Sequence, residues 1–119
     1  MTTTETMTVA RARGDVGVER AATSAERLAP GWVDRAADVL RIGACMLDAQ
    51  GTLFAEFTVE RIRSMTGNAV PKPPDERAWG AATRVATSRG YIERIPGRFS
   101  AAASSNGSPK PMYRKGPKA

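Results

Sequence analysis

The sequence predicts a mainly α fold closed by a small β-hairpin. Two observations point to it. Apolar residues recur at helical spacing in three stretches between Trp32 and Gly90, and a β-like run follows them. Proline- and glycine-rich segments separate these stretches, as breakers do between elements. A chain of 119 residues suits one domain with tails rather than two independent cores.

The elements follow in chain order. Residues 1–30 are rich in Thr, Ala, Arg and Gly and poor in large apolar side chains, which predicts a flexible N-terminal tail. A short Ala-rich helix over 18–28 is compatible with that and would stop at Pro30-Gly31. Trp32, Ala36, Val39, Leu40, Gly43 and Leu47 then share one face of the strongest helix, which ends at Gln50-Gly51. Asp34, Arg35, Asp38, Arg41 and Asp48 take its other side. Cys45 and Met46 within it read as packing residues. Residues 52–54 read as an extended link. Thr58 is a good N-cap for a second, short helix, with Phe57 placed to staple onto Ile62 and Gly67 placed to end it. Residues 68–74, with three prolines, cannot be helical. Asp75 caps a third helix that ends at Gly90. Its core face is Ala78, Trp79, Ala82, Val85 and Ala86; its exposed face is Arg77, Gly80, Ala81, Arg84, Thr87 and Ser88. A strand over 91–95 is bent or bulged at Pro96-Gly97, 100–109 form a flexible loop, and 111–114 return as a second strand. The folded domain is expected at 31–116, with 117–119 a basic tail. Three helices, a strand, a loop and a strand make a helix-turn-helix core with a β-hairpin wing.

Charge is unevenly spread over this frame. Residues 1–54 carry six Arg and seven acids, whereas 55–119 carry twelve Lys or Arg and five acids. After Glu93, the last acid, come Arg94, Arg98, Lys110, Arg114, Lys115 and Lys118 with no acid in sequence to offset them. A basic C-terminal third is the electrostatic pattern of a polyanion binder, or of a solvated tail that aids solubility. The chain has one cysteine and no histidine, which excludes an internal disulfide, the common zinc sites and Ser-His-Asp or Cys-His catalysis. No cofactor, metal or catalytic residue is expected. No apolar stretch is long enough to span a membrane and the N-terminus has no secretory h-region, so a cytoplasmic protein is expected.

The run Arg77-Ala78-Trp79-Gly80-Ala81, leading through Gly90 to Tyr91-Ile92 and closing on Pro111-Met112-Tyr113-Arg114, resembles winged helix-turn-helix DNA-binding proteins of actinobacterial phages and prophages. The resemblance covers about 32–115 and implies a small non-enzymatic binder of double-stranded DNA in a bacterial host cell, serving regulation, excision or replication. It implies a DNA-reading third helix and a basic wing. Arg77 and Arg84 stand two turns apart, so both lie on one face with Gly80 between them, and Gly80 would let the helix axis run close to a groove. Thr87 and Ser88 are placed to donate to phosphates, and Arg94, Arg98 and Arg114 would supply the wing's contacts. Arg61 and Arg63, on the second helix, would at most abut the backbone. Lys115 and Lys118 read as a loose electrostatic tail. Early in the wing loop, where such proteins usually carry arginines, this chain reads Ala101-Ala102-Ala103, which favours a second reading. That reading is a winged-helix adaptor that inhibits or recruits a host or phage protein. The oligomeric state is not encoded in any pattern here.

Overall fold

The computed structural model describes residues 3–101 and 109–119, with side chains from residue 16 onward apart from Leu53 and Ala101. The described residues form helices α1 (Thr3–Leu28), α2 (Trp32–Ala49), α3 (Val59–Thr66) and α4 (Ala78–Ser88). Strands β1 (Glu56–Phe57), β2 (Ile92–Ala101) and β3 (Pro109–Lys115) make one antiparallel sheet in the order β1-β3-β2. The fold is therefore mixed α/β, with more strand than the sequence suggests. The loop stretch 102–108, with Ala102 and Ala103, lies outside the described residues.

The core forms where α2 and α4 cross. Every residue named above for the α2 apolar face is buried, from Trp32 to Leu47. On α4, Ala78, Trp79, Ala82 and Ala86 are buried as their spacing predicts, and Val85 packs at the margin. The two indoles meet edge to face, with ring centroids 5.2 Å apart, a geometry worth about 0.5–1.5 kcal/mol beyond burial. Trp32 Nε1 donates to the Pro71 carbonyl at 2.7 Å, so the 68–74 segment is fastened to the core and does not hang free.

Local signals explain the ends of these elements. Thr58 Oγ1 accepts from the Arg61 N–H at 3.2 Å, the expected N-cap of α3. Beyond α4, the Gly90 N–H reaches Thr87 O and the Tyr91 N–H reaches Ala86 O, the paired bonds of a Schellman cap. Gly90 takes φ +77° there, a conformation side-chain-bearing residues rarely adopt. Between Arg94 and Phe99 the β2–β3 register slips, because Pro96 cannot donate to the ladder and Gly97 turns at φ +72°.

Asp75 does not cap the third helix as expected: α4 begins at Ala78 with Arg77 at its N-cap and no side-chain cap, and Asp75 accepts the Arg77 N–H in the turn before it. Three further expectations need correction. Residues 1–30 are not simply a tail. Helix α1 covers most of them, Ala21 and Ala25 enter the core, and α1 packs against α4. Alanines one turn apart bury little area each, so a search for large apolar residues misses this helix. Glu26 also joins α1 to α2, its carboxylate accepting the Gly31 and Val33 N–H groups at 2.7 and 2.9 Å. Gly31 has no side chain with which to cap α2, and Glu26 reaches across to do so. Second, residues 52–54 are a 3₁₀ turn leading into β1, not an extended link. Third, the chain end is tied down: the Gly116 N–H donates to Tyr91 O at 2.9 Å and the Lys118 N–H to Gly90 O at 2.8 Å.

Helix α3 is held close to α2 because position 43 lacks a side chain. A Cβ on Gly43 would stand 2.5 Å from Cγ2 of Ile62, which is wholly buried. Gly43→Ala should therefore destabilise the protein by about 1–3 kcal/mol through overpacking, read as a lower denaturant midpoint. An unchanged midpoint would mean that the α2–α3 crossing yields freely.

Candidate functional site

Turning Trp79 and Ala82 inward turns Arg77, Arg84, Thr87 and Ser88 outward. This outward face of α4 meets the inner face of the β2–β3 hairpin across an open groove of about 540 Å³. Arg63, Arg77, Arg84, Arg94 and Lys110 line it, against the carboxylates Glu60 and Glu76. Toward the C-terminal end of α4 a second recess of about 400 Å³ joins Arg84, Thr87, Ser88, Arg94 and Tyr113. Six of the eight expected site residues thus border these two recesses, Arg77 and Gly80 the first, Thr87 and Ser88 the second, and Arg84 and Arg94 both.

Arg98 and Arg114 are not among them. Cross-strand partners share a sheet face, so the pair Arg94–Tyr113 and the adjacent pair Glu93–Arg114 point to opposite sides. Arg114 Nε lies 3.2 Å from Glu93 Oε2, and the hydrogen bond raises its pKa above the ordinary arginine value. Arg98 pairs with Glu56 at 3.0 Å. Lys115, expected to be loose, pairs with Asp48 at 3.5 Å. The cationic run after Glu93 is therefore partly neutralised, by Glu93 itself and by Glu56 and Asp48, which lie far from it in sequence. Arg94 and Lys110 differ. Among the described residues neither has a carboxylate partner, and Arg94 instead lies over the Phe99 ring at 5.8 Å. Lys110 was missed as a site residue in the sequence. Strand alternation alone would not have found it, since Lys110 stands three residues from Tyr113 on β3; its place at the groove is seen only in the folded structure.

The other groove residues are held in place. Arg63 pairs with Glu76 and stacks over Trp79 at 4.9 Å. Arg61 points elsewhere, into a recess near Leu47 and Phe54. Arg77 is bound by Asp75, Nη2 to Oδ2 at 2.7 Å, while Asp75 Oδ1 also accepts the Arg77 backbone N–H at 2.9 Å. Thr87 Oγ1 donates to Thr83 O at 2.7 Å, so its single hydroxyl proton is committed and it offers a ligand an acceptor. Gly80 also differs from expectation. It faces α1, where a Cβ would stand 3.1 Å from a Val18 methyl. Tyr113 is 8% exposed; burial raises its phenol pKa, Arg94 opposes that rise and Glu60 adds to it.

Among the described residues no group of His, Cys, Asp or Glu is placed to hold a metal ion, and no helix is long and apolar enough to cross a membrane. Comparison with known protein families, curated proteins and solved structures finds no match to this chain.

The Asp75–Arg77 pair sets a pH dependence. Hydrogen bonds from the Arg77 side chain and backbone lower the Asp75 pKa. A carboxyl with a depressed folded pKa stabilises above its unfolded pKa of about 3.9 and loses that contribution as pH falls through the folded value. Asp75→Ala should therefore lower the melting temperature at neutral pH, and its gap from wild type should close in acid. A gap that persists in strong acid would show that the charge is not what stabilises this turn.

Proposed function

We propose that this protein binds double-stranded DNA without catalysing a reaction, through α4 and the inner face of the β2–β3 hairpin. The observation that carries the reading is the groove itself. Arg63 and Arg77 are bound there by Glu76 and Asp75, whereas Arg94 and Lys110 have no carboxylate partner among the described residues. A surface that leaves cations without acids is suited to an external polyanion. The arrangement supports a winged-helix reading. The order α2-β1-α3-α4-β2-β3, with β3 between β1 and β2, agrees with that of a helix-turn-helix carrying a hairpin, with residues 67–77 in place of the usual short turn between the two helices. In that frame α4 reads base edges and the hairpin contacts phosphates. The step served would be regulation, excision or replication in a phage or prophage setting.

A second reading, an adaptor for a host or phage protein, draws on a different surface. Ile42 and Met46 stand one turn apart on the exposed side of α2, 45% and 49% exposed. Partner capture without DNA binding would favour it.

A gel-shift series at several salt concentrations tests the DNA reading. With three to five phosphate contacts, log K should fall with log[salt] at a slope of about −3 to −4.5. Arg94→Ala and Lys110→Ala should each flatten the slope by about 1 and weaken all sequences alike. Arg98→Ala and Arg114→Ala, which remove cations already paired on the outer face, should change it little. Arg84→Ala should cost about 1–3 kcal/mol on a preferred site and relax the sequence preference. No binding at about 50 mM salt, where the electrostatic contribution is large, would sink the reading.

A further inference from the structure

The end of α4 that would enter a DNA groove first is already in contact with another helix. A Cβ placed on Gly80 would stand 3.1 Å from Val18 Cγ2, and one placed on Gly17 would stand 2.7 Å from an Arg77 guanidinium nitrogen. Residues 17 and 18 of α1 thus lie against residues 77 and 80, at the N-terminal end of α4. In helix-turn-helix proteins that end makes the base contacts. Size decides whether both helices fit. The major groove is about 12 Å wide, while one helix with its side chains is already about 10–12 Å across. Two helices packed at about 8–10 Å between axes cannot enter together.

The contact is also light. Among its described side chains α1 contributes only Ala21 and Ala25 to the buried core, whereas the largest fully buried side chains, Trp32, Leu40, Leu47, Ile62 and Ile92, all lie outside it. None of those five side chains belongs to the part of α1 before Glu26, and the Glu26 cap on α2 does not depend on that part.

We propose that α1 is an autoinhibitory cover: it rests on the N-terminal end of α4 in the free protein and gives way when α4 engages duplex DNA. This rests on the DNA-binding reading of α4. The cover lowers apparent affinity by the fraction of molecules in which it is closed, and so sets how readily the protein loads onto DNA.

The contact geometry supplies a lock. A Cβ at Gly80 would lie 3.9 Å from the Val18 Cβ, within the disulfide range of about 3.5–4.5 Å. The full chain carrying Val18→Cys and Gly80→Cys, with Cys45→Ser to remove the native thiol, is oxidised with diamide and assayed on a mixed-sequence duplex before and after reduction. The oxidised form should bind at least about tenfold more weakly than the same protein reduced. Equal affinity in the two forms would overturn the cover. Wild-type protein is followed in parallel by amide hydrogen exchange. On adding duplex, residues 16–25 should exchange faster while 78–88 become protected. Unchanged or slower exchange at 16–25 with α4 protected would overturn the proposal even if the locked variant failed to fold. No binding by wild-type protein would instead remove the DNA reading itself, and the cover with it.

Discussion

The orientation of α4 depends on the contact between Trp32 and Trp79. Trp32 is 1% exposed, lies edge to face with Trp79, and is fixed in turn by its hydrogen bond to the Pro71 carbonyl. Arg63 closes the other side of Trp79, so α2, α3, α4 and the loop between the last two converge on one indole pair. That pair sets the rotation of α4 about its axis. With Trp79 held inward, Arg84 and Thr87 must face out toward the hairpin. A change that let Trp79 swing out would carry the cationic face of α4 into the core, where the charges would be costly to bury.

On the hairpin the decision falls to strand alternation. Successive residues of β2 point to opposite faces, so Glu93 and Arg94 part company, and their partners Arg114 and Tyr113 follow them. One face becomes a ladder of paired charges formed by Glu56, Glu93, Arg98 and Arg114. The other holds Arg94 and Tyr113 against α4. Exposed ion pairs contribute little to stability, but they withdraw arginines from competition for an external anion. Net charge alone does not reveal this separation.

Much of the helical frame was legible in the sequence, because Trp32, Leu40, Leu47, Ile62 and Trp79 are large apolar residues at regular spacing. The caps at Thr58 and Gly90 were legible for the same local reason. Helix α1 was not. Its core contacts are alanines, and its tie to α2 is a Glu26 carboxylate bound to backbone N–H groups, which no hydropathy pattern marks. Gly80 was noticed as a position of close approach, but sequence could not say that the approaching group is Val18. The site residues on α4 were legible from its amphipathic face. On the hairpin Arg94 was legible and Lys110 was not, because strand alternation from Tyr113 puts position 110 on the opposite face and only the folded hairpin brings it to the groove.

The central claim is that α4 and the inner hairpin face form one DNA-binding surface. Amide chemical-shift mapping on titration with a short duplex tests it most directly. The account predicts that shifts concentrate in α4 and at Arg94, Lys110 and Tyr113, with further shifts in α1 near Gly17 and Val18. Glu56, Glu93, Arg98 and Arg114 on the outer sheet face should stay still. Shifts concentrated on that outer face, or none at all, would contradict it.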